Sequence, residues 1–216
     1  MYKHFFKRLF DILISLIGIL VLALPMIIIA IVIKIDSPGP VFFKQKRIAK
    51  GKKHFNIIKF RSMPVSVPRD MPTHQLQTNE IKLSKWQTLM RKASIDELPQ
   101  LFNIFAGSMS IIGPRPALWN QDDLIAERDK YGANDVTPGL TGWAQINGRD
   151  ELEIEDKAKL DGDYVAALNA GKFKGLAMDI KCFFGTIVSV LKSDGVVEGG
   201  TGKINEQKEK EEANTK

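Results

Sequence analysis

Residues Ile12 to Ile33, ILISLIGILVLALPMIIIAIVI, run for 22 positions without a charged side chain. As a straight helix the stretch is about 33 Å long, close to the hydrocarbon thickness of a bilayer. It reads as a transmembrane helix or an uncleaved anchor. A cleaved signal peptide fits poorly, because no small-x-small site closes it and basic sequence follows at once. Two features set it apart from a simple span. Both flanks are basic, with Lys3, Lys7 and Arg8 before it and Lys34, Lys44, Lys46 and Arg47 after it. The positive-inside rule therefore asks for both ends on the cytoplasmic side. Pro25 near the middle removes a helical hydrogen bond and clashes with the preceding turn. A helix that enters, breaks at Pro25 and returns accounts for both features. On these residues alone the ordinary span stays open beside it.

Working outward, Asp36-Ser37-Pro38-Gly39-Pro40 is a dense turn signal that ends the apolar helix. Val41-Phe42-Phe43 and Phe55 to Phe60 read as short strands joined through Ala49 to Lys53. Residues 62–80, with Pro64, Pro68 and Pro72, read as a loop. Residues 81–105 read as helical, with Ile81, Leu83, Trp86, Leu89 and Met90 on one apolar face and Leu98, Leu101, Phe102 and Phe105 on another, stopped by Gly107. Charged helices are expected over 118–131 and 151–170. Between them, Pro138 to Arg149 reads as a glycine-punctuated strand or hairpin, with Asn147-Gly148 as a tight turn. Residues 173–192 are amphipathic and fit either a core-facing helix or one lying in a membrane interface. From Gly195 the chain turns rich in Gly, Lys and Glu, the composition of a disordered tail. The expected organisation is a membrane helix over 1–35, a catalytic unit over 36–194 and a tail over 195–216.

Charge is uneven along the 216 residues. Residues 1–61 hold 12 Lys and Arg against 2 Asp and Glu, and the remainder holds 19 against 23. A basic first third points to a polyanionic partner: nucleic acid, anionic lipid or a phosphorylated substrate. The single Cys182 excludes an internal disulfide and a multi-cysteine zinc site. His4, His54 and His74 lack metal-ligand spacing, which argues against histidine-ligated zinc hydrolysis.

Three constellations could carry chemistry. In Ser94-Ile95-Asp96-Glu97-Leu98-Pro99-Gln100 the S-x-x-E spacing of Ser94 and Glu97 fits a capping box, with a helix starting near Asp96 and Pro99 in its first turn. Capping alone explains these residues. The same helix end also favours ionised carboxylates and phosphate, so Asp96 suits a nucleophile or Mg²⁺ ligand beside Glu97. In Gly113-Pro114-Arg115-Pro116 two fixed φ angles stiffen the loop around Arg115, which can then clamp phosphate with little entropy loss. A rigid surface loop with a solvated Arg is the plainer reading. In Thr141 to Arg149 the plain reading is a hairpin turn, and the functional one has Trp143 and Arg149 holding a base and a phosphate. Lys59 and Arg61 flank Phe60 and read as a phosphate-facing or membrane-facing pair, or as a solvated strand face.

Taken in order, these segments resemble the monotopic phosphoglycosyl transferases, also called bacterial sugar transferases. The matching pieces are Phe6 to Asp11, Gly39 to Arg47, Lys59 to Met63, Asp96 to Ile104, Gly107 to Pro116, Pro138 to Arg149, and Asp163-Tyr164, together spanning roughly residues 4–192. The resemblance implies an α+β fold: a mostly helical membrane-associated domain with an N-terminal re-entrant membrane helix, a small β-hairpin or sheet, and amphipathic interfacial helices. It implies transfer of a phosphosugar from a UDP-sugar to a polyprenyl (undecaprenyl) phosphate, with release of UMP. The resemblance places Asp96 on the family's nucleophile, which implies that it would form a phosphosugar-aspartyl intermediate. Glu97 completes the dyad, with a role in metal or phosphate positioning or in deprotonating the acceptor. Mg²⁺ is the implied cofactor, with Asp96 as a ligand. Arg91, Arg115, Lys59, Arg61, Arg149 and Gln145 are the implied substrate and phosphate contacts, and Pro25 the helix break. Leu24 stands where relatives often carry Ser before that proline.

The implied location is the cytoplasmic face of a bacterial inner membrane, with anionic membrane lipids as a further partner. No nucleic-acid motif appears, despite a pI near 9.3. Oligomeric state is open between monomer and homodimer. Two other classes share part of the pattern: a Mg²⁺-dependent nucleotide-sugar phosphodiesterase using water as acceptor, and a non-catalytic membrane-tethered basic module. Which UDP-sugar is used is not written in any residue singled out above.

Overall fold

A computed structural model describes residues 2–67, 83–148 and 152–192. The tail expected over 195–216 lies outside the described residues. The fold is α+β. A short π-helical turn, Tyr2–Phe6, leads into the 30-residue helix α1, Lys7–Asp36. An antiparallel hairpin follows, β1 (Phe42–Ile48) with β2 (His54–Phe60), in the register Phe42 to Phe60 and Ile48 to His54. Its turn lies where the sequence placed it, closed by a bond from Ala49 N–H to Lys53 O. Helices α2 (Lys85–Lys92) and α3 (Gln100–Ala106) come next. A second small sheet pairs β3 (Ser110–Ile112) in parallel with β4 (Gly139–Thr141). Helices α4 (Asp122–Asp129), α5 (Trp143–Ile146), α6 (Ile154–Asn169) and α7 (Lys172–Lys192) complete it.

Helix α1 is uninterrupted. Pro25 lies inside it, so helical structure continues on both sides of the proline where the sequence reading expected a break. One stripe of α1 faces the protein along its whole length. Asp11, Ser15, Met26 and Ile33 are buried, Leu22 and Ile29 are half-buried against the same core, and Gly18 sits against Leu101 of α3. Positions 11, 15, 18, 22, 26, 29 and 33 follow the three-and-four spacing of a single helix face. The opposite face carries Ile17, Leu20, Val21, Leu24, Ile27 and Ile31, all more than half exposed. Both ends are tied to one body. The Arg8 guanidinium donates to the carbonyls of Ile104 (2.6 Å) and Phe105 (2.8 Å) at the end of α3, and Asp11 accepts from Ser110 Oγ (3.0 Å) and Ile111 N–H (2.9 Å). At the other end Ile33 packs with Phe60 and Met90.

Helix α7 faces the core on one side, as one of the two readings of its amphipathic pattern expected. Asp179 and Cys182 are buried against the core that contains Tyr2, Tyr164 and Leu168, while Phe173, Phe184 and Val188 are at least half exposed. Of the strand or hairpin expected over Pro138 to Arg149, Gly139–Thr141 is a strand; it pairs in parallel with β3, and the chain then turns into α5, while Arg149 lies outside the described residues.

Candidate active site

The Asp96-Glu97 pair lies on a 3-10 turn, Ile95–Glu97, between α2 and α3. Helix α3 itself begins at Gln100 with Pro99 as its N-cap, a few residues later than the sequence reading placed it. The capping box read at Ser94 and Glu97 is absent: the Ser94 side chain makes no cap hydrogen bond, and Ser94 sits at φ 53°, ψ 23°. A non-glycine residue in this left-handed region is held there at a cost of about 1 kcal/mol. The box forms ten residues earlier. Ser84 Oγ accepts from Gln87 N–H and Gln87 Oε1 accepts from Ser84 N–H, both at 3.1 Å. The strained turn frees the Asp96 and Glu97 carboxylates from capping and directs them elsewhere.

Glu97 meets two cations. Lys59 Nζ, from β2, donates to Oε1 at 2.9 Å. Arg115 Nη2 donates to the same oxygen at 2.5 Å, and Nη1 reaches Oε2 at 3.4 Å. Arg115 is placed by the loop that follows β3. Gly113 N–H donates to Thr141 O and Gly139 N–H to Pro114 O, each at 2.8 Å, and a Cβ on Gly113 or Gly139 would collide with the backbone of the other segment. The stiff loop predicted around Arg115 is therefore clamped between β3 and β4 by glycine contact. Burial alone would raise the Glu97 carboxyl, but the Arg115 and Lys59 charges outweigh it and hold Glu97 well below the usual carboxylate range.

Asp96 is in the opposite condition. Its side chain is buried, and among the described residues it has one hydrogen bond, from Ser62 Oγ to Oδ2 at 3.3 Å. Burial raises its pKa, the Glu97 charge adds to the rise, and Lys59 and Arg91 oppose it. Arg91, at the end of α2, therefore lies within electrostatic reach of Asp96, with its Nε buried and unpartnered among the described residues. The sequence placed Asp96, Glu97, Lys59, Arg91 and Arg115 in one site, and the structure gathers all five.

Other expected contacts lie elsewhere. Arg61 is buried and donates to Pro38 O (2.5 Å) and Ser37 O (2.7 Å), so it seals the turn after α1. Gln145 lies on α5 next to Gly142, behind the junction that carries Arg115, with both amide atoms buried and unpartnered among the described residues. Arg149 lies outside the described residues. One cation escaped the sequence reading. Arg47 Nη1 donates to Pro116 O at 3.0 Å, and its Nε and Nη2 hold Gln45 Oε1. Burial and the nearby Arg115 charge push the Arg47 guanidinium down to about 9, still cationic at neutral pH. The alternation of β1 was the available signal, since Phe43, Gln45 and Arg47 share the strand face of Lys59 across the hairpin.

Four cations, Lys59, Arg91, Arg115 and Arg47, thus surround two carboxylates. The positive excess suits a doubly charged phosphorylated ligand. No cluster of three acidic, His or Cys side chains capable of holding a metal occurs among the described residues. A Mg²⁺ ion that keeps several waters and takes one carboxylate plus ligand phosphate oxygens still fits Asp96, an acceptor-only group with one long hydrogen bond.

The sequence profile of the bacterial sugar transferases matches residues 2–193. The chain is 38% identical over 190 residues to an uncharacterized sugar transferase, EpsL, of Bacillus subtilis (strain 168), covering 88% of this chain and 89% of that one. It is 35% identical over 192 residues to a UDP-glucose:undecaprenyl-phosphate glucose-1-phosphate transferase of Xanthomonas campestris pv. campestris, covering 86% of this chain and 38% of the relative. A UDP-N-acetylgalactosamine-undecaprenyl-phosphate N-acetylgalactosaminephosphotransferase of Aeromonas hydrophila is 34% identical over 197 residues, covering 88% and 45%. The chain spans less than half of the last two relatives.

Proposed function

The chain belongs to the bacterial sugar transferase family, and from that premise we propose that it transfers a phosphosugar from a UDP-sugar to undecaprenyl phosphate and releases UMP. The observation that carries this reading is the contrast inside the dyad. Glu97 is saturated by Lys59 and Arg115, while Asp96 has one long hydrogen bond. A carboxylate so weakly engaged is the one free to attack. An Asp96 oxygen attacks the β-phosphorus of the UDP-sugar. The bond from that phosphorus to the bridging oxygen breaks, and UMP leaves with the electron pair. A phosphate oxygen of the lipid then attacks the same phosphorus, the acyl-phosphate bond breaks, and the Asp96 carboxylate is regenerated. Glu97 holds the Lys59 ammonium and the Arg115 guanidinium fork in place against the diphosphate, and Arg91 and Arg47 add to the local positive field. Mg²⁺ held by Asp96 and the diphosphate would supply charge neutralisation. A covalent route lets an aqueous donor and a lipid acceptor visit one site in turn.

The same reading makes the protein monotopic, on the cytoplasmic face of the inner membrane. Support comes from α1, whose two ends and whole inner stripe lie on one body while its outer face is apolar. A helix crossing the bilayer would carry those contacts into the hydrocarbon. The exposed apolar residues of α7 and the basic flanks suit an anionic lipid surface. Cytoplasmic labelling of tags at both termini tests this, and a protected N-terminus would restore the spanning helix. For the activity, UMP release is measured across UDP-glucose, UDP-galactose and UDP-N-acetylgalactosamine. Release that requires added undecaprenyl phosphate is expected. Hydrolysis at equal rate without lipid would make the protein a phosphodiesterase, and no release from any donor would remove the enzymatic reading.

A further inference from the structure

Gln100 is wholly buried, and neither its Nε2 nor its Oε1 has a hydrogen-bond partner among the described residues. A buried amide left in this state costs on the order of 1–3 kcal/mol, which an apolar side chain of the same size would avoid. Its position suggests what it is for. Gln100 opens α3, three residues before Asn103 on the same helix, and follows the 3-10 turn that carries Asp96, so in the chain it stands between two residues that both reach the strip of β2 and its continuation. At one end Asn103 is fully engaged, with Oδ1 accepting from Ile58 N–H and Nδ2 donating to Asn56 O, both at 2.9 Å. At the other end Asp96 meets Ser62 through a single 3.3 Å contact. Between a satisfied amide and a weakly held carboxylate lies an amide with a free donor.

We propose that Gln100 is a positioning residue for Asp96: in the donor-loaded enzyme its Nε2–H donates to the Asp96 carboxylate and, with Ser62, fixes the rotamer from which Asp96 attacks. This rests on the phosphoglycosyl transfer reading above and adds a residue to it. A carboxylate held by one long hydrogen bond samples several orientations, and only a near in-line one attacks phosphorus. A second donor narrows them without touching the substrate. The effect therefore falls on the rate of adduct formation and leaves donor affinity alone.

The test compares wild type with Gln100→Leu, which keeps the volume and removes both polar atoms. The readout is the single-turnover rate of phosphosugar adduct formation, without lipid, as a function of the concentration of whichever UDP-sugar the wild type uses. The expected result is a maximal rate lower by tenfold or more, an unchanged half-saturating concentration, and a melting temperature equal to or above wild type. A purely structural Gln100 gives the reverse, a lower melting temperature with an unchanged rate per folded molecule, and overturns the proposal. A raised half-saturating concentration at unchanged maximal rate also overturns it, by making Gln100 a substrate contact. If the Leu variant does not fold, Gln100→Met, the unbranched apolar match, is measured by the same criteria. A wild type that forms no adduct with any donor removes the transfer reading itself, and this inference with it.

Discussion

Among the buried carboxylate sites of the described residues, those around Asp179 and Asp96 are built in opposite ways. In the core between α6 and α7, Asp179 accepts from Tyr2 Oη (2.5 Å), Lys7 Nζ (2.8 Å) and Tyr164 Oη (2.8 Å). Tyr164 also donates to Ile112 O at 3.1 Å. Burial first, and then the hydrogen bond to Asp179 and its charge, push both phenols well above the ordinary tyrosine range, so they remain donors at any working pH. The cluster ties the start of the chain to α6 and α7. Around Asp96 the arrangement among the described residues is incomplete: a left-handed Ser94, one long hydrogen bond, cations in excess of carboxylates, and buried groups on Arg91 and Gln100 without a partner there. A closed cluster stabilises the fold and has nothing left to offer a ligand. An open one forgoes stability and keeps its donors for a ligand.

Substitutions that remove one carboxylate from each cluster should separate these roles. Asp96→Asn is expected to fold and to lose several orders of magnitude in turnover, because an amide occupies the same space but cannot attack phosphorus. UMP release per folded molecule checks it, and retention of even a tenth of wild-type activity would count against the assignment. Arg115→Lys keeps the charge but loses the two-pronged contact with Glu97, so a loss of roughly 10–100-fold is expected in kcat/KM, with the melting temperature little changed. Asp179→Asn should do the converse. It leaves the nearly buried Lys7 without its counter-charge, which should lower stability by about 3 kcal/mol in a denaturant titration. Turnover per folded molecule should stay within a few-fold of wild type.

The smallest effect concerns pH. Asp96 must be ionised to attack, and its pKa is raised, so activity is lost as pH falls through that raised value. Lys59 is the first of the influences opposing the rise. Lys59→Met therefore moves the acid limb of the pH–rate profile to higher pH. An acid limb that stays in place, or moves down, would show that a different group sets it.

The same contrast explains what the sequence could reveal. The hairpin was legible because β-rich residues and a lysine-rich turn determine it locally, and the dyad because its motif occurs in order with the rest of the family pattern. The α1 stripe was present as a three-and-four spacing, but polar Asp11 and Ser15 and small Gly18 hide it in a run that is apolar on every side. Ser94 and Glu97 read as a cap because local pattern cannot register that Lys59 and Arg115, from distant segments, compete for the Glu97 carboxylate. Arg47 was not singled out for a similar reason. Arg47 lies in β1 and Arg61 just after β2, and only the packed fold shows that Arg61 reaches the turn after α1 and that Arg47 lies near Arg115.

The central claim is that Asp96 is the reacting carboxylate, and the most direct measurement is the mass of the peptide that contains it. The protein is exposed briefly to its UDP-sugar without lipid, quenched and digested. The account predicts a mass increase of one phosphosugar on the Asp96 peptide, discharged by undecaprenyl phosphate and absent from Asp96→Asn. An adduct on any other residue, or full turnover by Asp96→Asn, would contradict it.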